Sequence, residues 1–336
     1  MPIRVDSQPF PRVLLALLTD GYGRFADTMV VVTGESAMRL MYDRKTFDSL
    51  EPAQQSVLGS WSQARIGDID ELGGYGIFAT KENPLHVLVG DKGGRIQSER
   101  VVSHIWSSRL PGGSLCHLAP GVAVTSPEFC YLLAGRRGTA PAAAVGMEAC
   151  GAYGKDGSSR GFADRKAISS LASLKSYLDG ARGCRGVKAA RAALDLVIEG
   201  SRSPLETKTA ILLTAPTSCG GYGIPSPKSN WPVWPAASEL SLFYDSYYLI
   251  DLCWPDKKVS LECDSYAYHS SKDERDDDAR KRNALTSIGW TCLTTTAGQL
   301  SGAALDTLAQ QVCRALGIAF QQPPASLRDS LIESVK

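Results

Sequence analysis

The sequence contains no uncharged apolar run of about 18 residues, the length a membrane-crossing helix needs, so no bilayer span is expected. It has four histidines, His86, His104, His117 and His269, and none is spaced like a metal ligand pair, which argues against a zinc site. Nine cysteines are present without a single C-x-x-C pair, so the redox and metal motifs built on that spacing are excluded. An excess of one charge is also missing. Lys and Arg number 36 against 35 Asp and Glu, a net charge of +1, so no bulk field steers the chain to nucleic acid or to a membrane surface. No period of about 20 to 50 residues recurs, which excludes a solenoid or propeller. The apolar stretch from Val13 to Leu18 follows Arg4 and Arg12 but lacks a small-residue cleavage site, and it reads as a buried element rather than a signal peptide.

What is present is an ordinary globular composition: 336 residues, 43% hydrophobic and 21% charged. A chain of this length is expected to form about two domains, each with its own core. The cysteines number nine, an odd count, and several lie in apolar runs such as Ile250 to Cys253. Free buried thiols in a reducing, cytoplasmic setting are expected.

Met29 to Thr33 is rich in β-branched residues and closes on Gly34, the pattern of a buried strand. Glu35 to Asp43 then has helical apolar spacing. Leu85 to Val89 and Val122 to Thr125 predict two further strands, the latter followed by Ser126 as the cap of a helix beginning at Pro127. The Gly, Ala and Pro density of residues 138 to 160 predicts a loop. Asp164 to Arg182 carries Ile168, Leu171, Leu174 and Leu178 at spacings of three and four, an amphipathic helix capped by Asp164. Val187 to Ile198 repeats that pattern.

Beyond residue 200 the pattern changes. Ser203-Pro204-Leu205-Glu206 reads as a helix start, and residues 216 to 235 as a long loop. Phe243 to Leu252 and Val259 to Asp264 predict a strand pair joined across Pro255 to Lys258. A charged helix over 276–287, a strand over 290–295 and an amphipathic helix over 303–316 complete an α/β layered arrangement.

The strand pair carries the candidate chemistry. Asp251 ends one apolar strand, and alternation along the next sends Glu262 and Asp264 to one face, Leu261 and Cys263 to the other. Asp251 and Glu262 are close enough in sequence to meet across a short connection. Carboxylates placed side by side repel unless a cation neutralises them, and hard oxygen donors suit Mg²⁺ or Mn²⁺. Such ions activate water and stabilise charge developing on a phosphodiester. The plain alternative is a solvated acidic strand face. His269 and the helical pair Asp278 and Arg280 follow shortly after; for the latter a surface ion pair is the simpler role. Trp231, Trp234 and Trp254 flank this region, and Arg136-Arg137 and Lys281-Arg282 can contact phosphates or simply face solvent.

The run S-P-L-E at 203–206, Asp251, E-C-D at 262–264, His269, Asp278-x-Arg280 and L-x-x-x-G-W at 285–290 resembles the very-short-patch-repair-like branch of the PD-(D/E)xK nucleases. That resemblance covers about residues 203 to 300. It implies a restriction-endonuclease-like mixed sheet flanked by helices, Mg²⁺ (or Mn²⁺) as cofactor, and DNA as substrate. By the same resemblance, Glu206 positions the metal or its water, and Asp251 and Glu262 ligate it. The family's lysine position holds Asp264, and His269 becomes the candidate for part of the lysine's role.

V-T-G-E-S-A at 32–37, the strand at 85–89 and G-V-A-V-T-S-P-E at 121–128 are similar to the C-terminal domain of AbiEi-type abortive-infection antitoxins. That likeness implies a cognate toxin or other protein partner. The expected organisation is therefore an antitoxin-like α/β domain over 1–160, a helical connection over 161–200, and a nuclease-like domain over 201–336. Two functional readings follow: DNA hydrolysis in phage defence or mobile-element biology, or the same fold as an inactive regulatory or interaction module.

Overall fold

The computed structural model describes residues 29–53, 58, 66–75, 77–155, 161–264 and 272–335. The stretch from Val13 to Leu18 and the candidate His269 lie outside them. The chain is mixed α/β and divides into two compact units, Met1–Cys130 and Tyr131–Lys336.

The first unit is built on a six-stranded mixed sheet. Its strands are β1 (Val30–Val32), β2 (Glu51–Pro52), β3 (Leu85–Val89), β4 (Val101–Ile105), β5 (Leu115–Ala119) and β6 (Val122–Thr125), arranged β2-β5-β6-β1-β3-β4. Strands β1 and β6 run parallel at its centre, and every residue of both is buried. Their β-branched side chains leave little rotamer freedom to lose and pack well on a pleated surface. Helix α1 (Gly34–Leu40) follows β1, with α2 (Arg44–Ser49) and α3 (Ile66–Glu71) beyond it. Buried Thr33, just after β1, and Thr125, the last residue of β6, satisfy each other through hydroxyls 2.9 Å apart. Helix α4 (Pro127–Ala134) begins at the predicted proline; the Phe129 N–H donates to Ser126 Oγ at 3.3 Å. The division between units falls within α4.

In the second unit, the loop expected over 138–160 is instead opened by helix α5 (Thr139–Ala149), with Ala140, Ala142, Ala143, Met147 and Ala149 buried. Alanine has the best helix propensity, and Pro141 falls in the first turn, where a missing N–H costs little. Small residues hid the helix because amphipathic periodicity is legible mainly in bulky side chains. They also allow close approach: a Cβ on Gly146 would meet Val197 Cγ2 at 2.7 Å and Tyr131 Cε2 at 2.8 Å. A two-stranded ribbon follows, β7 (Tyr153–Lys155) with β8 (Phe162–Asp164). Asp164 thus ends a strand and does not cap a helix. The cap is Ser170, whose Oγ accepts from Ser173 N at 3.1 Å and opens α6 (Leu171–Gly180). Helix α7 (Val187–Ala193) comes next; it contacts both α5 and α6, so the 161–200 helices pack within the second unit.

Helix α8 (Pro204–Thr214) starts as the sequence predicts, with Ser203 Oγ accepting from Glu206 N at 3.1 Å. Four strands then form a mixed sheet ordered β12-β11-β10-β9: β9 (Lys228–Val233), β10 (Tyr248–Trp254), β11 (Val259–Asp264) and β12 (Thr291–Thr296). Strands β9, β10 and β11 are antiparallel neighbours, while β11 and β12 are parallel through α9 (Lys272–Ser287). Strand β9 corrects the expected loop over 216–235. Its Pro232 is tolerated because β9 is an edge strand, where one side needs no ladder donor. Helix α8 packs on β10 and β11, and Leu285 of α9 joins Val233, Ile250, Cys253 and Trp290 in a core cluster. Helices α10 (Gly302–Leu316) and α11 (Ala325–Ser334) complete the unit. Buried Arg328 of α11 is ion-paired to Asp306 of α10.

Candidate active site: carboxylates gathered on the four-stranded sheet

Strands β10 and β11 pair with Leu252 opposite Leu261. One step further along that register sets Asp251 opposite Glu262, so their side chains leave the sheet on one face. Asp251 Oδ2 accepts from the backbone N–H of Cys263 at 2.8 Å, which holds the aspartate against the residue following Glu262. Asp264 ends β11 opposite Thr296, two residues beyond Glu262 and therefore on the same face.

Glu206 reaches this group from the first turn of α8 and is almost fully buried. Its Oε2 accepts from the backbone N–H of Arg202 at 2.9 Å and from Asn230 Nδ2 at 2.8 Å. Asn230 also donates to the carbonyl of Gly200 at 3.0 Å. It takes a left-handed backbone conformation, φ 47°, within β9. A non-glycine residue held there is strained, and asparagine bears that strain better than most. The twist interrupts the β9–β10 register between Ile250↔Trp231 and Leu252↔Ser229, beside Asp251, and turns the amide onto Glu206.

The three acids influence each other. Burial, and after it the nearby Asp251, push the Glu206 carboxyl up to about 7, against the hydrogen bonds that favour its ionised form. Glu262 is pushed up to about 7 by burial, with Lys281 opposing and Asp251 adding to the rise. Asp251 itself is raised by burial, against the Cys263 N–H and the charges of Lys281 and Arg202. Burial also raises the Cys263 thiol, reinforced by Asp251 and Glu206. This is mutual electrostatic penalty in a poorly hydrated place, the pattern found where carboxylates serve chemistry.

Glu262 has two differently treated oxygens. Oε2 accepts from Lys281 Nζ at 2.8 Å, an ion pair whose side chains are 26% and 21% exposed. Oε1 is sequestered from solvent with no hydrogen-bond partner. An orphaned carboxylate oxygen is costly, because its water is lost and nothing replaces it. Among the described residues, His, Cys, Asp and Glu side chains form no group of three or more able to hold a metal ion as they stand.

The remaining candidates fall elsewhere. Arg280 lies on the solvent side of α9, paired with Asp277 at 3.0 Å and set over the Tyr244 ring. Asp278 adds negative potential at Asp251 and Glu262. Trp254 is buried, its indole N–H donating to the Pro225 carbonyl at 2.7 Å, whereas Trp231 and Trp234 are exposed. None of the nine cysteines forms a disulfide. Sequence reasoning gave Lys281 no role at the carboxylates; its signal was the i, i+3 spacing from Asp278, which puts both on one helical face. Asn230 and Arg202 carried no such signal, since their roles arise from long-range approach.

No protein-family model matches the chain, and no solved structure matches it. Two proteins from Mycobacterium tuberculosis are similar to it: uncharacterized protein MT2308 of strain CDC 1551 / Oshkosh and uncharacterized protein Rv2248 of strain ATCC 25618 / H37Rv. Each is 25% identical over 129 residues, 37% of this chain. The matched stretch spans 43% of each relative, less than half its length. Among the described residues no helix is long and apolar enough to cross a membrane.

Proposed function

We propose that the second unit hydrolyses DNA phosphodiesters in a divalent-cation-dependent reaction, in keeping with its resemblance to very-short-patch-repair-like nucleases. The observation that carries this reading is the convergence of Glu206, Asp251 and Glu262 from α8, β10 and β11 into one mutually destabilising group. A cation bound among these acids would relieve their repulsion. The donor set fits Mg²⁺ or Mn²⁺: all oxygen, anionic, with the unsatisfied Oε1 of Glu262 among the donors. Asp251 and Glu262 would hold the ion, which when bound supplies Lewis acidity and an activated water.

The chain's own residues have distinct tasks in this reading. The Cys263 N–H fixes Asp251 so that its carboxylate needs no reorganisation before binding. Glu206, held by Arg202 N–H and Asn230, orients a water molecule and accepts a proton from it; a carboxyl poised near 7 is suited to that exchange at neutral pH. Asp264 and His269 belong to the same proposal, His269 as a partial substitute for the lysine that Asp264 displaces. The first unit is assigned the antitoxin-like role, with a cognate toxin as partner, and the whole chain a cytoplasmic setting.

The second reading, an inactive module, draws on the ion pair that neutralises Glu262. Plasmid and oligonucleotide cleavage in Mg²⁺ or Mn²⁺, wild type beside Asp251→Ala, decides between them. Cleavage lost in the variant supports hydrolysis. No cleavage by purified wild type in either metal supports the inactive module.

A further inference from the structure

We propose that Lys281 is a resident cation of the carboxylate site, neutralising Glu262 through Oε2 beside the Oε1 left open to a divalent ion, so that metal binding competes with the lysine and drives its withdrawal. The inference rests on the metal-dependent reading above and adds a competitor built into α9.

The geometry carries it. Lys281 Nζ lies 2.8 Å from Glu262 Oε2, and both side chains are largely enclosed, so water screens the pair weakly. The same glutamate keeps its other oxygen buried and unpartnered. One oxygen is thus neutralised by the protein's own cation while its twin waits. A divalent ion bound about 2.1 Å from this carboxylate would put a second positive centre within about 5 Å of the ammonium, in a site with little water. The two cannot share Glu262 at low cost. The lysine can leave: its stem is flexible, and α9 is a surface helix whose neighbouring Asp277, Asp278 and Arg280 are all exposed.

Lysine suits this duty better than arginine. An ammonium is a single-point donor that lets go of one oxygen at a time, whereas a guanidinium grips a carboxylate through a rigid fork. Positive charge thus reaches Glu262 from α9 and not from its own strand. Without Lys281 the metal-free site would hold the Glu262 charge unopposed.

The test is Mn²⁺ binding to the full chain by calorimetry and by the metal-induced shift in melting temperature, for wild type, Lys281→Met, Lys281→Gln and Lys281→Arg. Removing the competitor should tighten Mn²⁺ binding by about tenfold or more and enlarge the shift, while Lys281→Arg should bind no tighter than wild type. Lys281→Gln serves if Lys281→Met does not fold. Binding that is unchanged or weaker in the neutral variants overturns the proposal, as does an absence of binding in every form. DNA cleavage assayed alongside separates the two ideas. Tighter binding without cleavage by any form sustains the role of Lys281 and defeats the nuclease reading. Cleavage by wild type with no gain in affinity does the reverse.

Discussion

Asp251 Oδ2 accepts a hydrogen bond from the backbone N–H of Cys263 at 2.8 Å, across the turn that joins β10 and β11. Because Cys263 immediately follows Glu262, this bond ties one carboxylate to the strand that carries the other. It fixes the pair more firmly than strand pairing alone, since a side-chain rotamer change would forfeit it.

Asp251→Asn tests the pair most cleanly. The amide presents an oxygen to the same N–H and keeps the volume, but removes the charge. Metal-dependent cleavage should fall to background, while melting temperature without metal should hold or rise as repulsion from Glu206 and Glu262 is relieved. Joint loss of activity and melting temperature would instead assign Asp251 to structure.

Divalent metal should raise thermal stability. Binding to the native state alone contributes RT ln(1 + [L]/Kd), about 1.4 kcal/mol at ten times Kd. A melting curve indifferent to millimolar Mg²⁺ and Mn²⁺, or one that shifts equally in Asp251→Asn, would count against a metal held by these acids.

The metal-free protein should lose stability as pH rises through weak acidity to neutrality. Glu206 and Glu262 have folded-state pKa values raised from 4.5 to about 7, so between those values the native state holds more protons than the unfolded chain. That proton-linked stability is complete below about pH 4.5 and has gone above about 7. For Glu206 it is on the order of 1–3 kcal/mol. Glu206→Gln, which cannot ionise, should flatten the decline when melting temperatures are compared at pH 5 and pH 7 in chelator. Parallel curves for the two proteins would refute it.

Asn230 should show two separable effects in denaturant titrations. Asn230→Gly frees the left-handed backbone but loses the amide that holds Glu206, so its net cost should be under about 1 kcal/mol. Asn230→Ala loses the amide and keeps the strain, and should cost about 1–2 kcal/mol more than the glycine variant. Equal stabilities would mean that the backbone conformation relaxes in solution.

Gly146→Val should destabilise the second unit by about 3 kcal/mol or more. Even a Cβ would lie 2.7 Å from Val197 Cγ2 and 2.8 Å from Tyr131 Cε2, and the core offers little room to yield. A variant as stable as wild type would show that α5 does not pack as described.

Much of the second unit is readable from local pattern. The Ser203 cap with Pro204 behind it, the apolar run into Asp251, and the alternation that sends Glu262 and Asp264 one way are each written in a few consecutive residues. These features survive folding because side-chain period and backbone geometry are coupled within one element. Helix α5 and strand β9 were hidden for opposite reasons. Alanine and glycine carry little periodic signal in α5, and Pro232 and Asn230 look like loop until β10 pairs beside them. Which groups hold and neutralise the acids was decided by tertiary structure alone. Asn230 meets Glu206 across 24 residues and Lys281 meets Glu262 across 19. No local preference specifies either contact, because each depends on where packing brings a second element. The pattern of residues named the acids; only the packing of α9 and the twist in β9 determined which groups neutralise and hold them.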